Sequence, residues 1–499
     1  MRRHDEVKVS TPAVSPVETK PQAVPQPQAP QPSAAGGECW SSYIGEALPS
    51  PAGPLDPHDT PPAAPPVVPL SRTLQVLRIS ERQIEFMFRW RRELGEVFRV
   101  RGVISGGPVI TSHPDHVRSL FTAKPELAPS LTAESPLLPI VGPNSVLTAN
   151  GPRHLRQRKL LLPPFHGEAI ERYMQMIADA TERDIDRWPV GKPFALAQRM
   201  QAITLDVIMG GIFGIEGKPA RGTPERRLRA AVKYLAQVST WRVAKLGELM
   251  NMGHEEPVGL TRQGVSILDR CTYPVIAARR QEENLERRTD ILSLIMRART
   301  EDGEPLSDRE LRDELLTLVL AGFETTANSL AWTWERLLRT PAAYERLREA
   351  VRSDEQADEH VEAAILEGMR CRPVIPTIGR RVAVPWRLGD YGVPAGTPVM
   401  MSILLLHHRE DLYPEPFSFR PERWLGHKPG TYEWIPFGGG TRRCLGAALA
   451  MAEQRVVLKT MARRLDLQAD RRDPERAQHR NVTMIPARGA QAVLHSRRP

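Results

Sequence analysis

Apolar residues recur at three- and four-residue spacing over most of the chain, a period that predicts long helices. One such pattern runs from about 74 to 94, where Gly95 supplies a helix end. Others cover about 153–162, 168–187, 197–213, 225–246, 260–285 and 307–339. A last helix is expected over about 445–464, followed by a short strand pair. Strand character is sparse. Val97–Val103 and Pro108–Thr111 read as short strands, and 380–403 reads as strand broken by turns at Gly389, Gly392 and Gly396. Residues 124–147 follow neither period and carry Pro125, Pro129, Pro136, Pro139 and Pro143. A loop that long inside a compact protein is usually functional. The expected fold class is mainly α with a small β component, in one domain over 71–499 without internal repeats.

Composition changes the picture only at the front. The chain has 499 residues and is 41% apolar, and about a third of its 47 prolines fall within residues 1–70. Ala, Gln, Ser and Val lie between them. Such a stretch buries too little apolar surface to offset its ordering entropy, so 1–70 is expected to be a disordered Pro-rich tail. Met1-Arg2-Arg3 is followed by no apolar core, which argues against a secretory signal. No apolar run reaches the roughly 18 residues that cross a bilayer.

Net charge is +9, with basic residues dispersed among acidic ones, as in Glu335-Arg336 and Glu345-Arg346. A nucleic-acid binder would gather them into one stripe. A local basic face that docks an acidic protein fits better. Four cysteines, Cys39, Cys271, Cys371 and Cys444, lie far apart and make no disulfide framework. That usage suits a reducing cytoplasm. The sequon at Asn481 therefore reads as part of a late strand.

The most informative segment is Trp434-Ile435-Pro436-Phe437-Gly438-Gly439-Gly440-Thr441-Arg442-Arg443-Cys444-Leu445-Gly446. Three glycines let the backbone turn tightly and approach a flat ligand. Cys444 stands just before a helix start, where free N–H groups favour a thiolate. Gly446 lets that helix come close to the ligand, and Arg442 is spaced to pair with a ligand carboxylate. The residues alone leave open a buried structural cysteine beside a Gly-rich turn. A phosphate loop is less apt, since no Gly-Lys-Ser/Thr follows.

Phe437-x-x-Gly440-x-Arg442-x-Cys444-x-Gly446 resembles, in full, the haem-binding signature of the cytochrome P-450 family. The resemblance implies a single-domain P-450 fold, with haem b between the long central helix and the helix after the cysteine loop. It implies Cys444 as axial iron ligand, Arg442 on a propionate and Phe437 behind the iron–sulfur bond, with Gly438 and Gly446 against the cofactor.

Further segments stand in the family's order. Ala321-Gly322-Phe323-Glu324-Thr325-Thr326 sits in an apolar helix opened by a capping box at Ser307-Asp308-Arg309-Glu310. Taken alone it could be a helix kink, because threonine hydroxyls back-bond to carbonyls. It also resembles the family's oxygen groove. There Thr325 would hold the proton-donating network at dioxygen, Glu324 would relay protons, and Ala321 and Gly322 would leave room for the diatomic. Glu367 and Arg370 share a helix face, a weak signal alone, and with Arg423 they resemble the family's structural Glu-x-x-Arg group. His154 and Arg158 also share a face, which could be a merely solvated basic helix. In Asn150–Phe165 they resemble the family's third helix, which implies propionate contacts. Arg380 resembles a further propionate partner, with Arg381 its rival.

The resemblance covers about residues 72–496. It implies a monooxygenase that inserts one atom of dioxygen into a hydrophobic small molecule. No flavin or ferredoxin module is visible in the chain, so a separate ferredoxin and its reductase are the expected electron donors, docking near Arg442 and Arg443. A monomer without nucleic acid or a transmembrane segment is expected. A peroxide-driven enzyme and a non-catalytic haem sensor or carrier stay open as alternatives.

Overall fold

A computed structural model describes residues 45–499, except 57–61, 102–106, 166, 216–218, 239–246, 248–249, 252–253, 300–302, 481 and 499. Fourteen helices lie among the described residues. They are α1 (Arg72–Leu94), α2 (Pro114–Thr122), α3 (Leu138–Val141), α4 (Gly151–Leu161), α5 (Glu168–Ile185), α6 (Leu196–Phe213) and α7 (Pro224–Val238). They continue with α8 (Gly259–Arg280), α9 (Ile291–Arg297), α10 (Asp308–Leu338), α11 (Pro341–Ser353), α12 (Ala357–Cys371), α13 (Ile403–Leu406) and α14 (Ala447–Arg464).

The central element is α10, whose 31 residues thread the main core. Its start is fixed as the sequence implies. Ser307 Oγ accepts from the Glu310 N–H, while the Glu310 carboxylate accepts from the Ser307 N–H at 2.9 Å. Such a reciprocal cap satisfies two N–H groups that a helix start otherwise leaves unpaired. At the other end of the chain order, Gly95 closes α1 with φ +91 and donates its N–H to the Arg91 carbonyl. α7 stops at Val238 in the description, and the expected continuation through 239–246 lies outside the described residues.

Among the described residues, the β component is four small sheets. β2 (Val97–Arg99), β3 (Val109–Thr111), β8 (Pro398–Ser402) and β5 (Thr377–Arg381) form one, in the order β2-β3-β8-β5. β1 (Ala52–Pro54), β6 (Trp386–Leu388) and β7 (Tyr391–Val393) form the second. β4 (Pro193–Ala195), β12 (Gln491–Arg497) and β9 (Leu465–Ala469) form the third, and β10 (Ala477–Arg480) with β11 (Thr483–Pro486) a hairpin. The chain therefore closes on four strands rather than a single pair. Each is short and pairs with a partner far away in sequence or across a tight turn, which a periodicity reading does not register. α2 and α9, of 9 and 7 residues, are too short for a periodicity reading to register; α11 was also not anticipated.

The expected tail boundary at residue 70 needs correction. Residues 1–44 lie outside the description, but 45–56 and 62–70 are built into the fold. β1 pairs antiparallel with β6. The Ser50 N–H donates to Asp115 at 2.9 Å, and Ser50 Oγ lies 2.9 Å from His116 Nε2. Val68 is fully buried. Proline bars interior ladder positions but not edge strands and extended straps, so a Pro-rich segment can pack without being a helix or a central strand. The loop at 124–147 also contains α3 and a single 3-10 turn at Leu131–Glu134.

Beneath the cysteine loop lies a fully buried ionic group. Arg370 Nε and Nη2 each donate to Glu367 at 2.8 Å. Arg423 Nε donates to the same carboxylate at 3.2 Å, and Trp424 Nε1 at 3.0 Å. Arg370 also donates to the carbonyls of His407 at 2.7 Å and Pro416 at 2.8 Å. Gly368 is a poor helix former, but its packing explains it. A Cβ there would lie 2.1 Å from Thr333 Oγ1 of α10, so glycine sets the contact distance between α12 and α10. Gly368→Ala should destabilise the protein by about 1–3 kcal/mol, the usual cost of overpacking. The urea midpoint measures this, and Thr333→Gly in the same chain should recover part of the loss.

Candidate active site

The segment 434–446 folds as a loop that delivers Cys444 three residues ahead of α14. Its glycines have distinct reasons. Gly438 and Gly440 adopt φ of +66° and +62°, a region costly for residues with a Cβ. A Cβ at Gly440 would lie 2.2 Å from the Phe121 carbonyl, and one at Gly439 would lie 2.2 Å from the Phe121 ring. The loop is therefore seated on α2. The Cys444 N–H donates to the Phe437 carbonyl at 2.9 Å, and Phe437 packs edge-on against Trp434. Ile435 donates its N–H to His407 Nε2 at 2.9 Å, which ties the loop to the residue whose carbonyl Arg370 holds.

Cys444 is exposed on this loop. Crowding by surrounding protein still pushes its thiol pKa up, while the Gly446 N–H and the Arg158 and Arg443 guanidinium groups pull it down. A bound metal cation supplies the further pull that deprotonates a coordinating thiol outright. A Cβ at Gly446 would meet nothing within 4 Å, so the helix start beside the sulfur is open on that side.

A cluster of cations stands on one flank. His154, Arg380 and Arg442 line one pocket together with Phe121, Asn150 and Thr441. Burial, then Arg442, Arg158 and Arg380 in turn, lower the His154 pKa to about 4, so the ring is neutral. Burial lowers Arg380 to about 10 and, with repulsion from Arg380 and Arg158, does the same to Arg442. Arg442 donates to the Val146 carbonyl at 3.4 Å and the Leu147 carbonyl at 3.3 Å, and also to the Ala149 carbonyl and the Asn150 side chain. Among the described residues, no carboxylate lines this pocket. Cations that repel one another at a partly buried site suit an anionic ligand group.

Arg380 and Arg381 alternate across β5. Arg380 faces the pocket, above the Phe121 ring at 5.6 Å, whereas Arg381 Nε donates to Glu134 at 2.8 Å. Arg158 sits apart from the pocket, donating to the Arg443 carbonyl at 2.7 Å and close enough to Cys444 to feel its charge. Arg158 does not line the pocket, but it is near enough to lower the pKa values of both His154 and Arg442.

Among the flanking residues of α10, Ala321 is exposed and Leu318 and Thr325 are partly so, although most of the helix is buried. Residues three and four apart share a helix face, so these three form one stripe. Thr325 Oγ1 donates to the Ala321 carbonyl at 2.6 Å. Thr326 is buried. Gly322 has a role the sequence did not reveal: a Cβ there would lie 2.5 Å from Ile208 of α6, so this glycine makes room for a neighbouring helix. Glu324 does not reach toward Thr325 but accepts from Arg480 Nε at 2.9 Å. Arg480 was not singled out from sequence, and nothing local marks it. Nor were Glu314 and Glu453, buried carboxyls whose pKa values burial raises well above the ordinary range.

The chemistry of this donor set fits a flat, largely apolar ligand that carries carboxylates and a thiophilic metal. A sulfur stands at an open helix start, cations gather at one flank, and a small-residue stripe of α10 is accessible. These features define the haem-thiolate class. A family model for Cytochrome P450 matches residues 61–493, and the chain belongs to that family. "Putative cytochrome P450 137" of Mycobacterium tuberculosis is 38% identical over 409 residues, covering 81% of this chain and 84% of that protein. "Putative cytochrome P450 135B1" of the same species is 35% identical over 438 residues, covering 87% and 92%. The structure described as "Retinoic acid bound cyanobacterial CYP120A1" superposes with a TM-score of 0.73 at 21% identity. It covers 87% of this chain and all of that one, and the likeness shows the fold.

Family membership brings with it a cysteine-ligated haem b, dioxygen, a small-molecule substrate and redox partners, and monooxygenase activity at the level of the family. Among the described residues, no helix is long and apolar enough to cross a membrane. Gly440→Ala combines a positive φ with a backbone clash and should cost about 1–3 kcal/mol locally. Its expected readout is a lower Soret absorbance per mole of purified protein, with helicity by circular dichroism little changed.

Proposed function

We propose that the chain is a dioxygen-dependent haem monooxygenase acting on a hydrophobic small molecule, with electrons from a separate ferredoxin and its reductase. The observation that carries this is Thr325 on the accessible stripe of α10, its hydroxyl bonded to the Ala321 carbonyl, with the Glu324 carboxylate next to it in sequence. A haem carrier needs a thiolate loop but has no use for a proton relay beside it.

In this reading Cys444 holds the iron as a thiolate. Arg442, His154 and Arg380 hold the propionate edge, with Arg158 between that edge and the cysteine. Phe437 packs behind the sulfur, while Gly438 and Gly446 border the ring. Bound there, the haem supplies the redox chemistry of oxygen activation, and electron donation from a thiolate favours O–O cleavage. The remaining tasks fall to side chains. Thr325 presents a hydroxyl at the oxygen pocket, Ala321 leaves space there, and Glu324 brings protons from solvent. Leu147, Leu318 and Ile378, half-buried apolar residues of three separate segments, would border the substrate and suit an apolar one. The exposed Arg443 marks a basic face on which an acidic ferredoxin would dock. A monomer in the cytoplasm, with one catalytic domain preceded by a Pro-rich tail, completes the proposal.

The test has two parts. The reduced, carbon monoxide-treated protein should show the red-shifted Soret band of a thiolate-ligated haem, and its absence would overturn the central claim. With a surrogate ferredoxin system, Thr325→Ala should keep electron consumption but lower product per electron pair by about tenfold, the scale of a lost proton-transfer group. Unchanged coupling would favour a peroxide-driven enzyme instead.

A further inference from the structure

Glu324 is held by the β10–β11 hairpin, more than a hundred residues away in sequence. Arg480, the last residue of β10, is buried and directs two N–H groups to Glu324 Oε1, with Nε at 2.9 Å. Thr483 Oγ1 lies 3.4 Å from the same oxygen. The hairpin is itself anchored. Trp332 Nε1 of α10 donates to the Met484 carbonyl at 3.0 Å, and the Met484 N–H donates to the Val374 carbonyl at 2.7 Å. The cation facing Glu324 is therefore fixed by two backbone bonds just beyond the turn.

Glu324 and Thr325 are neighbours, so their side chains leave α10 about 100° apart. Thr325 bonds back to Ala321, while Glu324 turns to the hairpin. A carboxylate bound to a buried guanidinium cannot at once serve the oxygen pocket. Breaking such a charge-assisted pair is costly.

We propose that Arg480 is the positioning residue of the proton relay: it holds Glu324 on the hairpin, and proton delivery to the Thr325 side requires the carboxylate to leave it. This rests on the relay role given to Glu324 above. The hairpin's bond to Val374 also links the restraint to residues 373–376, which lead into β5.

The experiment is a double-mutant cycle on the haem-loaded enzyme with its surrogate electron donors. Arg480→Gln should change kcat and product per electron pair by about tenfold, while the substrate dissociation constant from the spin-state titration stays within about twofold. Arg480→Lys, which keeps the charge, should restore most of the change. In a Glu324→Gln background, Arg480→Gln should have no further effect. An equal effect in both backgrounds, or no effect in either, overturns the proposal. A readout independent of turnover accompanies this. Arg480→Gln should lower the thermal midpoint, because an unpaired carboxylate stays behind, and adding Glu324→Gln should recover part of that loss. Additive midpoint shifts would also overturn it. If Glu324→Gln alone leaves coupling intact, the relay reading itself is wrong, a failure distinct from that of Arg480.

Discussion

The buried carboxylate of Glu367 is the constraint on which the rest depends. It is fully buried and ionised, held by Arg370 and Arg423, with further donation from Trp424 and the Arg420 N–H. Burial pushes its pKa up, but the two guanidinium groups and the backbone donor hold it below the ordinary carboxylate range. Removing either partner of such a group leaves a bare charge in a medium that cannot solvate it. The group is less a source of net stability than a demand for one arrangement. α12, the strand-poor segment 407–424 and the loop above them must all be in place to satisfy it.

That demand reaches the active site through a short path. Arg370 holds the His407 carbonyl, and His407 Nε2 accepts the Ile435 N–H just ahead of the glycine loop. From the other side, the loop rests on Phe121, where two glycines admit contacts that no other residue could. Cys444 is thus positioned by groups that never touch it. The burial of His407, together with the neighbouring Arg370, lowers its pKa to about 3, so the ring stays an acceptor for Ile435 throughout the neutral range.

The opposite wall follows another logic. α10 is buried nearly throughout, so its accessible stripe at Leu318, Ala321 and Thr325 is a gap in packing rather than a solvent face. Thr204 of α6 donates to the Phe323 carbonyl at 2.8 Å, tying the two helices together, and Asn328 donates back to the Glu324 carbonyl of its own helix at 2.8 Å. Small residues at 321–322 have two different tasks. Ala321 is exposed on the stripe, and Gly322 packs against Ile208 of α6.

The sequence by itself determined the long helices, because their apolar period is local and repeated over many turns. It also determined the cysteine loop, because this is a contiguous segment whose residue types and spacing carry the family signature. Tertiary structure decided what contiguity cannot carry. It turned Arg380 rather than Arg381 into the pocket by strand alternation and register with β8. It placed residues 45–56 and 62–70 in the fold by pairing with distant strands, and brought Arg480 onto Glu324. Each of these is a contact between segments far apart in the chain, fixed by which groups must find partners once water is excluded.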